Sequence, residues 1–400
     1  MITTPPTVRI SRKGTARIAS GHPWIFSSDI LDRGTAAPGD AVTVRDPQGL
    51  LLGTAHYSAS SQITLRLLST RAEPVDRDFL ARRIEAAAAF RQRVVSGTDA
   101  YRLVYSEADG LPGLIVDRYG DYLVVQTLDQ GMDRLLPEIV SCLQELFSPA
   151  GIVARNDVPV RRKEGLPLET KTLAGDIPDQ VAVHMNGLTF HADLLRGQKT
   201  GIFLDQRENY LVAARYARGR ALDCFTFTGG FALHMAARCE SVEAVDSSAS
   251  SLALAEENRK ANGIANVEFR EADVFELLAG HAASRRRFLT VVLDPPAFAK
   301  SRSSLEAAAR AYKEINLRAL RLLEPGGILV TCSCSHHVSE ARLLELIAEA
   351  SLDAGRTLRV LERRTQAQDH PILLTVPETH YLKCLIFEVL GNGRPAARAS

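Results

Sequence analysis

The stretch Ala221-Leu-Asp-Cys-Phe-Thr-Phe-Thr-Gly-Gly-Phe231 sets a short apolar run directly before a pair of glycines. Further apolar runs follow, with stretches of helical character between them: Ser241–Val245, Val267–Arg270, Leu289–Leu293 and Gly327–Thr331. Regular alternation of strands and helices is typical of a doubly wound parallel sheet with helices on both faces. We therefore predict a C-terminal α/β domain that covers residues 186–390.

Acidic residues occur at or just after the ends of the first four predicted strands: Asp223, Asp246, Asp273 and Asp294. The carboxyl ends of parallel strands meet at one edge of a sheet, where such folds bind ligands. There Asp246 is suited to accept hydrogen bonds from a ribose diol, and Asp273 from an adenine amino group. The alternative for each single aspartate is the N-cap of the following helix.

The glycine pair Gly229-Gly230 lets the backbone approach a ligand where a side chain would collide. The loop lacks the G-x-G-x-x-G pattern of dinucleotide sites, which disfavours a nicotinamide or flavin cofactor. Together with the acidic residues, the pair predicts a pocket for S-adenosyl-L-methionine. Arg207 is expected either to bind the methionine carboxylate of that cofactor or to cap a helix.

Two cysteines, Cys332 and Cys334, end the fifth predicted strand within Thr331-Cys-Ser-Cys-Ser335. Carbon 5 of a cytosine is too weak a nucleophile to accept a methyl group unaided. A thiolate that adds to carbon 6 generates an enamine whose carbon 5 is reactive, so either cysteine is a candidate nucleophile. Asp294 is placed by sequence order to contact the Watson–Crick edge of the base. Pro295-Pro296 would form a rigid pocket wall.

The N-terminal region differs in character from the α/β domain. Short apolar pieces punctuated by glycine between Val8 and Leu68 predict a small β-barrel over residues 1–75. Asp76 is a predicted N-cap for a helix that continues to about Val95. Strand and helix patterns after it predict a small α+β domain over residues 76–185, and residues 391–400 are expected to form a disordered tail.

The chain resembles the bacterial 23S ribosomal RNA cytosine-5 methyltransferases of the large-subunit methyltransferase I type. The likeness covers nearly the whole chain. It is carried by these motifs: Gly21-His-Pro-Trp-Ile-Phe26, Leu111-Pro-Gly-Leu-Ile-Val-Asp-Arg-Tyr-Gly-Asp121, Gly197-Gln-Lys-Thr-Gly-Ile-Phe-Leu-Asp-Gln-Arg207, Asp223–Phe231, Asp294-Pro-Pro296, Ser333-Cys-Ser335 and Asp369-His-Pro371. Each motif is weak alone, but the ordered set is specific. His336-His337 departs from the family, in which a small residue is expected after Ser-Cys-Ser.

This resemblance implies an RNA-binding PUA barrel, a Rossmann-like class I methyltransferase domain, and Cys334 as the nucleophile, with Cys332 a strand residue. The expected catalytic residues are Cys334, Asp294, Pro295 and Pro296. The expected cofactor pocket is lined by Gln206, Arg207, Asp223, Phe225, Thr228, Gly229, Asp246, Ser247, Asp273, Val274 and Asp294. The expected RNA contacts are Trp24, Arg161, Arg162, Lys199 and Phe298. A lone tryptophan in a β-rich domain, such as Trp24, is more often a core residue, and a solvated turn is the favoured interpretation of His336-His337. No metal is expected.

Composition bounds these predictions. The formal net charge is +1, so overall charge does not itself indicate nucleic acid, although basic runs such as Arg161-Arg162-Lys163 are compatible with phosphate binding. No apolar run reaches the length of a membrane span, and the N-terminus lacks the pattern of a secretion signal. The expectation is a cytoplasmic enzyme without a membrane partner. Its expected partner is 23S ribosomal RNA, naked or in a large-subunit assembly intermediate, with a homodimer as one oligomeric state.

Three other functions compete with this prediction. Exocyclic amino methyltransferases of adenine or guanine place an aromatic residue directly after Asp-Pro-Pro, whereas here Ala297 intervenes before Phe298. They need no thiol, so loss of Cys334 separates the two chemistries. A catalytically inactive RNA-binding assembly factor would keep the fold and bind the cofactor without turnover. A protein or small-molecule methyltransferase would leave the N-terminal barrel unexplained.

Overall fold

The computed structural model describes residues 5–197, 200–298 and 305–391 of the 400-residue chain. The chain folds into two compact units and passes between them more than once. The first unit is built from the described parts of Met1–His184, Ala192–Ile202 and Gln368–Thr379. The second is built from those of Met185–His191, Phe203–Ala367 and His380–Ser400. The division of the chain into domains at residues 75 and 185 stays a prediction.

A six-stranded sheet occupies the N-terminal part of the first unit. Its elements are β1 (Thr7–Ile10), α1 (Arg12–Ala19), β2 (Trp24–Phe26), β3 (Ile30–Asp32), β4 (Ala41–Arg45), β5 (Leu51–Tyr57) and β6 (Ile63–Ser69). The strand order is β2-β6-β5-β4-β1-β3, with β1 parallel to β4. Alternate residues of β4, Val42 and Val44, are fully buried in its core, as the period of two in a half-buried strand requires. The β-rich N-terminal region is confirmed.

Helix α1 was absent from the sequence prediction of this region. Ser11 caps it by accepting a hydrogen bond from the Gly14 N–H at 3.1 Å. Gly14 itself is buried, and a Cβ there would meet Ile10 Cδ1 at 3.2 Å. The helix is short and carries a glycine for close packing, so its sequence lacks the apolar periodicity on which helix prediction depends.

A five-stranded sheet follows in the first unit. Its elements are α2 (Arg77–Val94), β7 (Ala100–Tyr105), β8 (Leu114–Tyr119), β9 (Tyr122–Thr127), α3 (Gln130–Arg134), α4 (Leu136–Phe147), β10 (Gly151–Arg155) and β11 (Thr170–Gly175), with strand order β11-β10-β9-β8-β7. Asp76 caps α2 through the Phe79 N–H at 3.0 Å, which confirms the predicted helix start. Asp117 is a buried residue within β8, and the turn to β9 begins only at Gly120.

A seven-stranded sheet forms the second unit, after the two-stranded sheet of β12 (Val181–Met185) and β13 (Leu188–Ala192). The elements that build it are α5 (Arg207–Tyr216), β14 (Gly219–Cys224), α6 (Gly230–Met235), β15 (Cys239–Asp246), α7 (Ala249–Ala261), β16 (Val267–Glu271), α8 (Val274–Ala283), β17 (Phe288–Leu293), α9 (Leu305–Leu322), β18 (Leu323–Ser333), α10 (Glu340–Asp353), β19 (Thr357–Arg364) and β20 (Lys383–Leu390). The α/β class with its predicted strand–helix alternation is confirmed.

The strand order of this sheet is β16-β15-β14-β17-β18-β20-β19. Strands β14 to β18 run parallel, whereas β20 is antiparallel to β18 and β19 is antiparallel to β20. The five predicted strands thus form the parallel part of the sheet, and the two antiparallel strands at this edge are additional to the prediction. The order reverses between β14 and β17, and the crevice at such a switch point is where open α/β sheets bind ligands. None of the described helices combines the length and apolarity needed to cross a membrane.

Candidate active site

The four predicted aspartates occupy the carboxyl edge of the parallel strands. Asp223 lies near the end of β14, Asp246 ends β15, Asp273 immediately precedes α8, and Asp294 follows β17. The Asp294 N–H donates to the Cys224 carbonyl at 3.3 Å, which holds the ends of β14 and β17 together. The switch point of the sheet is thus flanked by two carboxyl groups, as expected for a site that binds a polar, cationic ligand.

The loop that follows β14 has an unusual backbone. Phe225 and Phe227 have φ angles of 65° and 51°, a left-handed conformation that is uncommon for residues other than glycine. The Phe227 N–H donates to Asp246 Oδ2 at 2.9 Å, so β15 fixes this conformation. Left-handed non-glycine residues carry a cost and persist where the surroundings hold them, often at binding sites. Phe225 and Phe227 are both half-buried beside this edge.

The two glycines of the pair are required for different reasons. Gly229 has a φ of 88°, which favours glycine over any side chain. Gly230 has no such angle, but a Cβ there would lie 2.4 Å from Cζ of Tyr210. At Gly230 the backbone thus lies close to the ring of Tyr210 of α5, and the predicted close approach to a ligand stays a prediction. Thr228, another predicted pocket residue, is buried and its carbonyl accepts from Asn258 Nδ2 at 3.1 Å.

Asp223 is fully buried and only half satisfied. Its Oδ2 accepts from Thr226 Oγ1 at 2.6 Å and from the Ala232 N–H at 3.0 Å. Its Oδ1 has no hydrogen-bond partner among the described residues. Burial, opposed by the Thr226 hydrogen bond and assisted by the nearby charge of Asp294, raises the pKa of Asp223 to about 7. An orphaned carboxylate oxygen fits a ligand that brings a cationic donor, such as the amino group of S-adenosylmethionine.

Asp246 and Asp273 also support the backbone around the site. Asp246 Oδ1 accepts from the Ser248 N–H at 3.0 Å, and Oδ2 is the acceptor for Phe227 described above. Asp273 Oδ1 accepts from the Glu276 N–H at 3.0 Å, which makes it the N-cap of α8. The alternative interpretation of the aspartates as helix N-caps therefore holds for Asp273 Oδ1. Carboxylate oxygens have further lone pairs, so the predicted ribose and adenine contacts stay predictions.

Other predicted pocket residues differ in exposure. Ser247 is exposed, whereas Val274 is 4% exposed and packs in the core of the second unit. Val274 therefore acts mainly as a core residue. Gln206 is buried and donates from Nε2 to Asp294 Oδ2 at 3.0 Å, while its Oε1 accepts from Asn209 Nδ2 at 2.7 Å. The amide of Gln206 thereby orients the carboxylate of Asp294.

Arg207, the first residue of α5, is 2% exposed and lies 3.5 Å from Glu208 Oε1. An arginine at the start of a helix does not complement the helix dipole, so a role as a helix cap receives no support from this position. The carboxylate-binding role stays a prediction.

The two candidate thiols lie in different environments. Cys332 is fully buried within β18, directly opposite Cys384 of β20. Burial, then contact with Cys384 and the charge of Asp294, raises the pKa of Cys332 well above its usual value. Cys334 follows the end of β18 and is half-buried. Since the reactive form is the thiolate, these surroundings favour Cys334 over Cys332 as a nucleophile.

The serines on either side of Cys334 are held by one tyrosine. Ser333 Oγ donates to the hydroxyl of Tyr312 on α9 at 2.9 Å, and that hydroxyl lies 3.1 Å from Ser335 Oγ. Tyr312 is fully buried, and its ring is 4.8 Å from that of Phe298 between centroids. Phe298 therefore lies beside the tyrosine that holds the segment carrying Cys334, and its contact with a target base stays a prediction. Pro295 is buried and Pro296 exposed.

Lys383 and Tyr312 were missed by the sequence prediction. Lys383 begins β20, is 3% exposed, and donates from Nζ to the carbonyls of Ser335 and Tyr381, both at 2.7 Å. Burial lowers the pKa of Lys383 to about 8. A lone lysine at the start of the apolar run Cys384–Phe387 is the signal that the sequence offered, because a lysine is rarely buried without a partner.

The predicted RNA contacts in the first unit have separate outcomes. Trp24 is half-buried and its indole N–H donates to Glu107 Oε1 at 2.8 Å, so its polar edge serves an internal contact. Arg161 is fully buried and donates to the Thr127 hydroxyl and carbonyl, Asp133 Oδ1 and the Pro167 carbonyl. The expectation that Arg161 binds RNA is therefore wrong. Arg162 is exposed, and Lys199 lies outside the described residues.

The histidines of the sequence motifs differ in exposure to solvent. His336 and His337 are both exposed, in agreement with a solvated turn, and the His336 ring is 5.6 Å from that of Tyr381. His370 is buried in the first unit, with its ring 5.5 Å from that of Tyr105. Among the described residues, no three His, Cys, Asp or Glu side chains are grouped to hold a metal ion. Residues 392–400 of the predicted tail lie outside the described residues.

Comparison with known proteins agrees with this geometry. Residues 8–70 match the model of a PUA-like domain, and residues 158–388 match that of the S-adenosylmethionine-dependent methyltransferases. The chain is 42% identical over 377 residues to a "Ribosomal RNA large subunit methyltransferase I" from Shewanella amazonensis. That alignment covers 92% of this chain and 95% of the relative.

Solved structures share the fold. A Streptococcus mutans protein described as a SAM-dependent methyltransferase is 20% identical, with a TM-score of 0.82 over 96% of this chain and 100% of the other. SMU.776, described as a methyltransferase and solved in complex with SAH, has a TM-score of 0.83 at the same identity and coverage. At this identity the likeness concerns the fold, and it extends through both units of the chain.

Proposed function

The chain belongs to the family of ribosomal RNA large subunit methyltransferase I proteins, and from that premise we propose that it methylates carbon 5 of a cytosine in 23S ribosomal RNA. It is an S-adenosylmethionine-dependent methyltransferase. The finer proposal, the cytosine and its carbon 5, depends on one observation. A half-buried cysteine, Cys334, follows β18 beside the edge that carries Asp223 and Asp294, whereas the alternative thiol of Cys332 is sealed in the sheet.

The proposed chemistry begins with the Cys334 thiolate. It adds to carbon 6 of cytosine, and the electron pair that leaves the carbon 5–carbon 6 double bond makes carbon 5 nucleophilic. When bound, S-adenosylmethionine would supply an electrophilic methyl group on its sulfonium. Carbon 5 takes this methyl group as the sulfur–methyl bond breaks, and the sulfur keeps that electron pair as a neutral thioether. Removal of the carbon 5 proton by a base then restores the double bond and expels the thiolate. No added oxidant or metal is needed to balance these steps.

The neighbours of Cys334 provide the other proposed roles. Asp294, oriented by Gln206, accepts hydrogen bonds from the Watson–Crick edge of the base. Pro295 and Pro296 give the wall of the pocket a fixed backbone. Phe298, packed on Tyr312, contacts the face of the base. A base in a structured RNA has to be unstacked before it enters such a pocket.

The cofactor residues divide into two proposed groups. Asp223, with its orphaned oxygen, is proposed to receive the amino group of the methionine part, and Gln206 and Arg207 are proposed to bind its carboxylate. Asp246 and Ser247 receive the ribose, and Asp273 and Val274 the adenine. Phe225, Thr228 and Gly229 form the loop that follows β14. The pKa of Asp223 is about 7, so the carboxyl group is partly protonated near neutral pH. The positive charge of a bound cofactor would favour its ionised form.

The RNA partner is proposed from the family and from the first unit. The PUA-like region and the exposed Arg162 are proposed to contact ribosomal RNA, naked or in an assembly intermediate. The proposed location is the cytoplasm, where ribosomal RNA matures, and a homodimer is the proposed oligomeric state. The proposed domains are a barrel of residues 1–75, an α+β domain of residues 76–185 and a catalytic domain of residues 186–390.

The decisive experiment compares Cys334→Ala with the matched variant Cys332→Ala. Each protein is incubated with 23S ribosomal RNA and methyl-labelled cofactor, and digested nucleosides are identified by mass spectrometry. We expect labelled 5-methylcytidine from the wild type and from Cys332→Ala, and none from Cys334→Ala. Label on an exocyclic amino group, or label that persists without Cys334, would overturn the thiolate mechanism. Cofactor binding without turnover on any RNA would favour the inactive assembly factor.

A further inference from the structure

A buried cation lies beside the segment of the proposed nucleophile. Lys383 of β20 pairs across the sheet with Ser333 of β18, the residue that precedes Cys334. Its Nζ donates to the carbonyl of Ser335, the residue that follows Cys334, at 2.7 Å. The lysine therefore spans the residues on both sides of the cysteine. Because only 3% of Lys383 is exposed, its charge acts in a region with little screening by water.

The hydrogen bonds of Lys383 define the position of its Nζ. An ammonium has three N–H donors, and two of these point to the carbonyl oxygens of Ser335 and Tyr381. The ammonium and the neutral amine can both make these two hydrogen bonds, so the bonds fix the position of Nζ beside the Ser-Cys-Ser segment. The positive charge at pH 7 follows from the pKa of Lys383, which burial lowers only to about 8.

We propose that Lys383 is a positioning residue that stabilises the thiolate of Cys334 by its fixed positive charge and orients the loop that carries this cysteine. The inference rests on the proposed function in one respect, since it explains how a thiolate forms near neutral pH in that site. A thiol with an ordinary pKa is mostly protonated at pH 7, and a neighbouring cation is the common means of lowering it.

The surroundings of Lys383 are consistent with a charge pair. Burial is the main cause that lowers the pKa of Lys383 to about 8, while the charges of Cys334 and Glu340 act to raise it. Electrostatic interactions are mutual, so a cation that is favoured by the thiolate also favours the thiolate. Since the pKa of about 8 lies above 7, Lys383 is mostly protonated at pH 7.

Other charged and titratable groups near Lys383 and Cys334 form ion pairs or hydrogen bonds with other residues. Glu340, at the start of α10, is paired with Arg363. Arg364 of β19 donates to Asn209 Oδ1 at 2.9 Å. Tyr312 of α9 is hydrogen bonded to Ser333, and burial raises its pKa, so its hydroxyl stays neutral at pH 7. His336 stacks obliquely near Tyr381 at the exposed side. Among these groups, Lys383 is the buried cation that hydrogen bonds directly to the Ser-Cys-Ser segment.

The test measures the rate at which iodoacetamide alkylates Cys334 between pH 5 and pH 10, with the site read by peptide mass spectrometry. Lys383→Gln keeps an N–H donor for Ser335 but removes the charge, and Lys383→Arg keeps the charge. We expect Lys383→Gln to raise the pKa of Cys334 by at least about one unit, so that alkylation at pH 7 slows about tenfold. Lys383→Arg is expected to stay near the wild-type rate, and all rates should converge near pH 10.

Controls separate charge from loss of structure. Lys260→Gln removes a lysine that is 68% exposed and should leave the profile unchanged. Native-like protection of the buried thiols of Cys332 and Cys384 from iodoacetamide reports that each variant is folded. Equal profiles for Lys383→Gln and wild type, or equal slowing in Lys383→Gln and Lys383→Arg, would overturn the charge role. The assay contains neither RNA nor cofactor, so a shifted profile together with absent 5-methylcytidine would refute the proposed function and leave this inference intact.

Discussion

Asp117 in the first unit and Asp223 in the second are both strand aspartates with no exposed surface, yet their partners differ. Both oxygens of Asp117 are engaged, by Arg102 Nε at 2.7 Å, by Arg102 Nη2 at 2.9 Å and by Thr200 Oγ1 at 2.6 Å. Asp223 has two neutral donors on one oxygen and none among the described residues on the other. A paired buried carboxylate organises a fold, whereas a half-satisfied one indicates a place for a ligand.

The largest expected effect in this comparison is on Asp117. Asp117→Asn removes the carboxylate charge with which the largely buried guanidinium of Arg102 pairs. Breaking such a pair typically costs about 3–5 kcal/mol, so urea denaturation should show a large loss in the free energy of unfolding. A loss below about 1 kcal/mol would mean that the pair is not a structural element. Asp32→Asn is the matched control, because Asp32 forms an ion pair with Arg9 in which both side chains are exposed. This variant should change stability little.

Asp223→Asn is expected to affect binding more than folding. Loss of the carboxylate should weaken S-adenosylmethionine binding about tenfold or more in calorimetric titration, because the cationic amino group loses its partner. The folded protein holds a proton on Asp223 up to about pH 7, whereas the unfolded chain releases it near 3.8. Wild-type stability should therefore fall as pH rises from about 4 to 7, relative to the variant. Parallel pH profiles would contradict the raised pKa.

The smallest effect is expected for Arg162, beside the buried Arg161. Arg162→Gln should leave stability within about 0.5 kcal/mol of the wild type. It should weaken RNA affinity a few-fold and reduce the slope of log affinity against log salt by about 0.7–0.9 if one phosphate contact is lost. Fluorescence anisotropy at several salt concentrations measures both quantities. Arg161→Gln should instead destabilise the fold, and RNA affinity that is insensitive to Arg162 would remove it from the interface.

Sequence patterns predicted elements in both units well. The five parallel strands β14–β18 and the capped helix α2 follow from apolar runs and cap residues that are local in the chain. Helix α1 and the antiparallel pairing of β20 did not follow, because the first depends on close packing at Gly14 and the second on which sheet edge is left open. Strand direction is a property of the tertiary connection, not of the apolar pattern.

Some residues of the candidate site could likewise be predicted from the sequence, and others could not. Sequence alone selected the acidic residues of the sheet edge and the two cysteines, since their positions relative to strand ends can be read from local patterns. It could not separate Arg161 from Arg162, because a run of basic residues carries no record of which guanidinium finds buried acceptors. Nor could it find Lys383, whose partner Ser335 is 48 residues away in the chain.

The sequence by itself thus determined the class of fold, the family and the residues at the ends of the parallel strands. Only the tertiary structure decided that Asp223 has an unsatisfied oxygen and that Cys332 is buried within the sheet. It also decided that the cation of Lys383 lies beside the segment of Cys334. The physical reason is that periodicity and capping act over a few residues, whereas burial, hydrogen-bond satisfaction and charge pairing arise between side chains that meet only when distant strands are brought together.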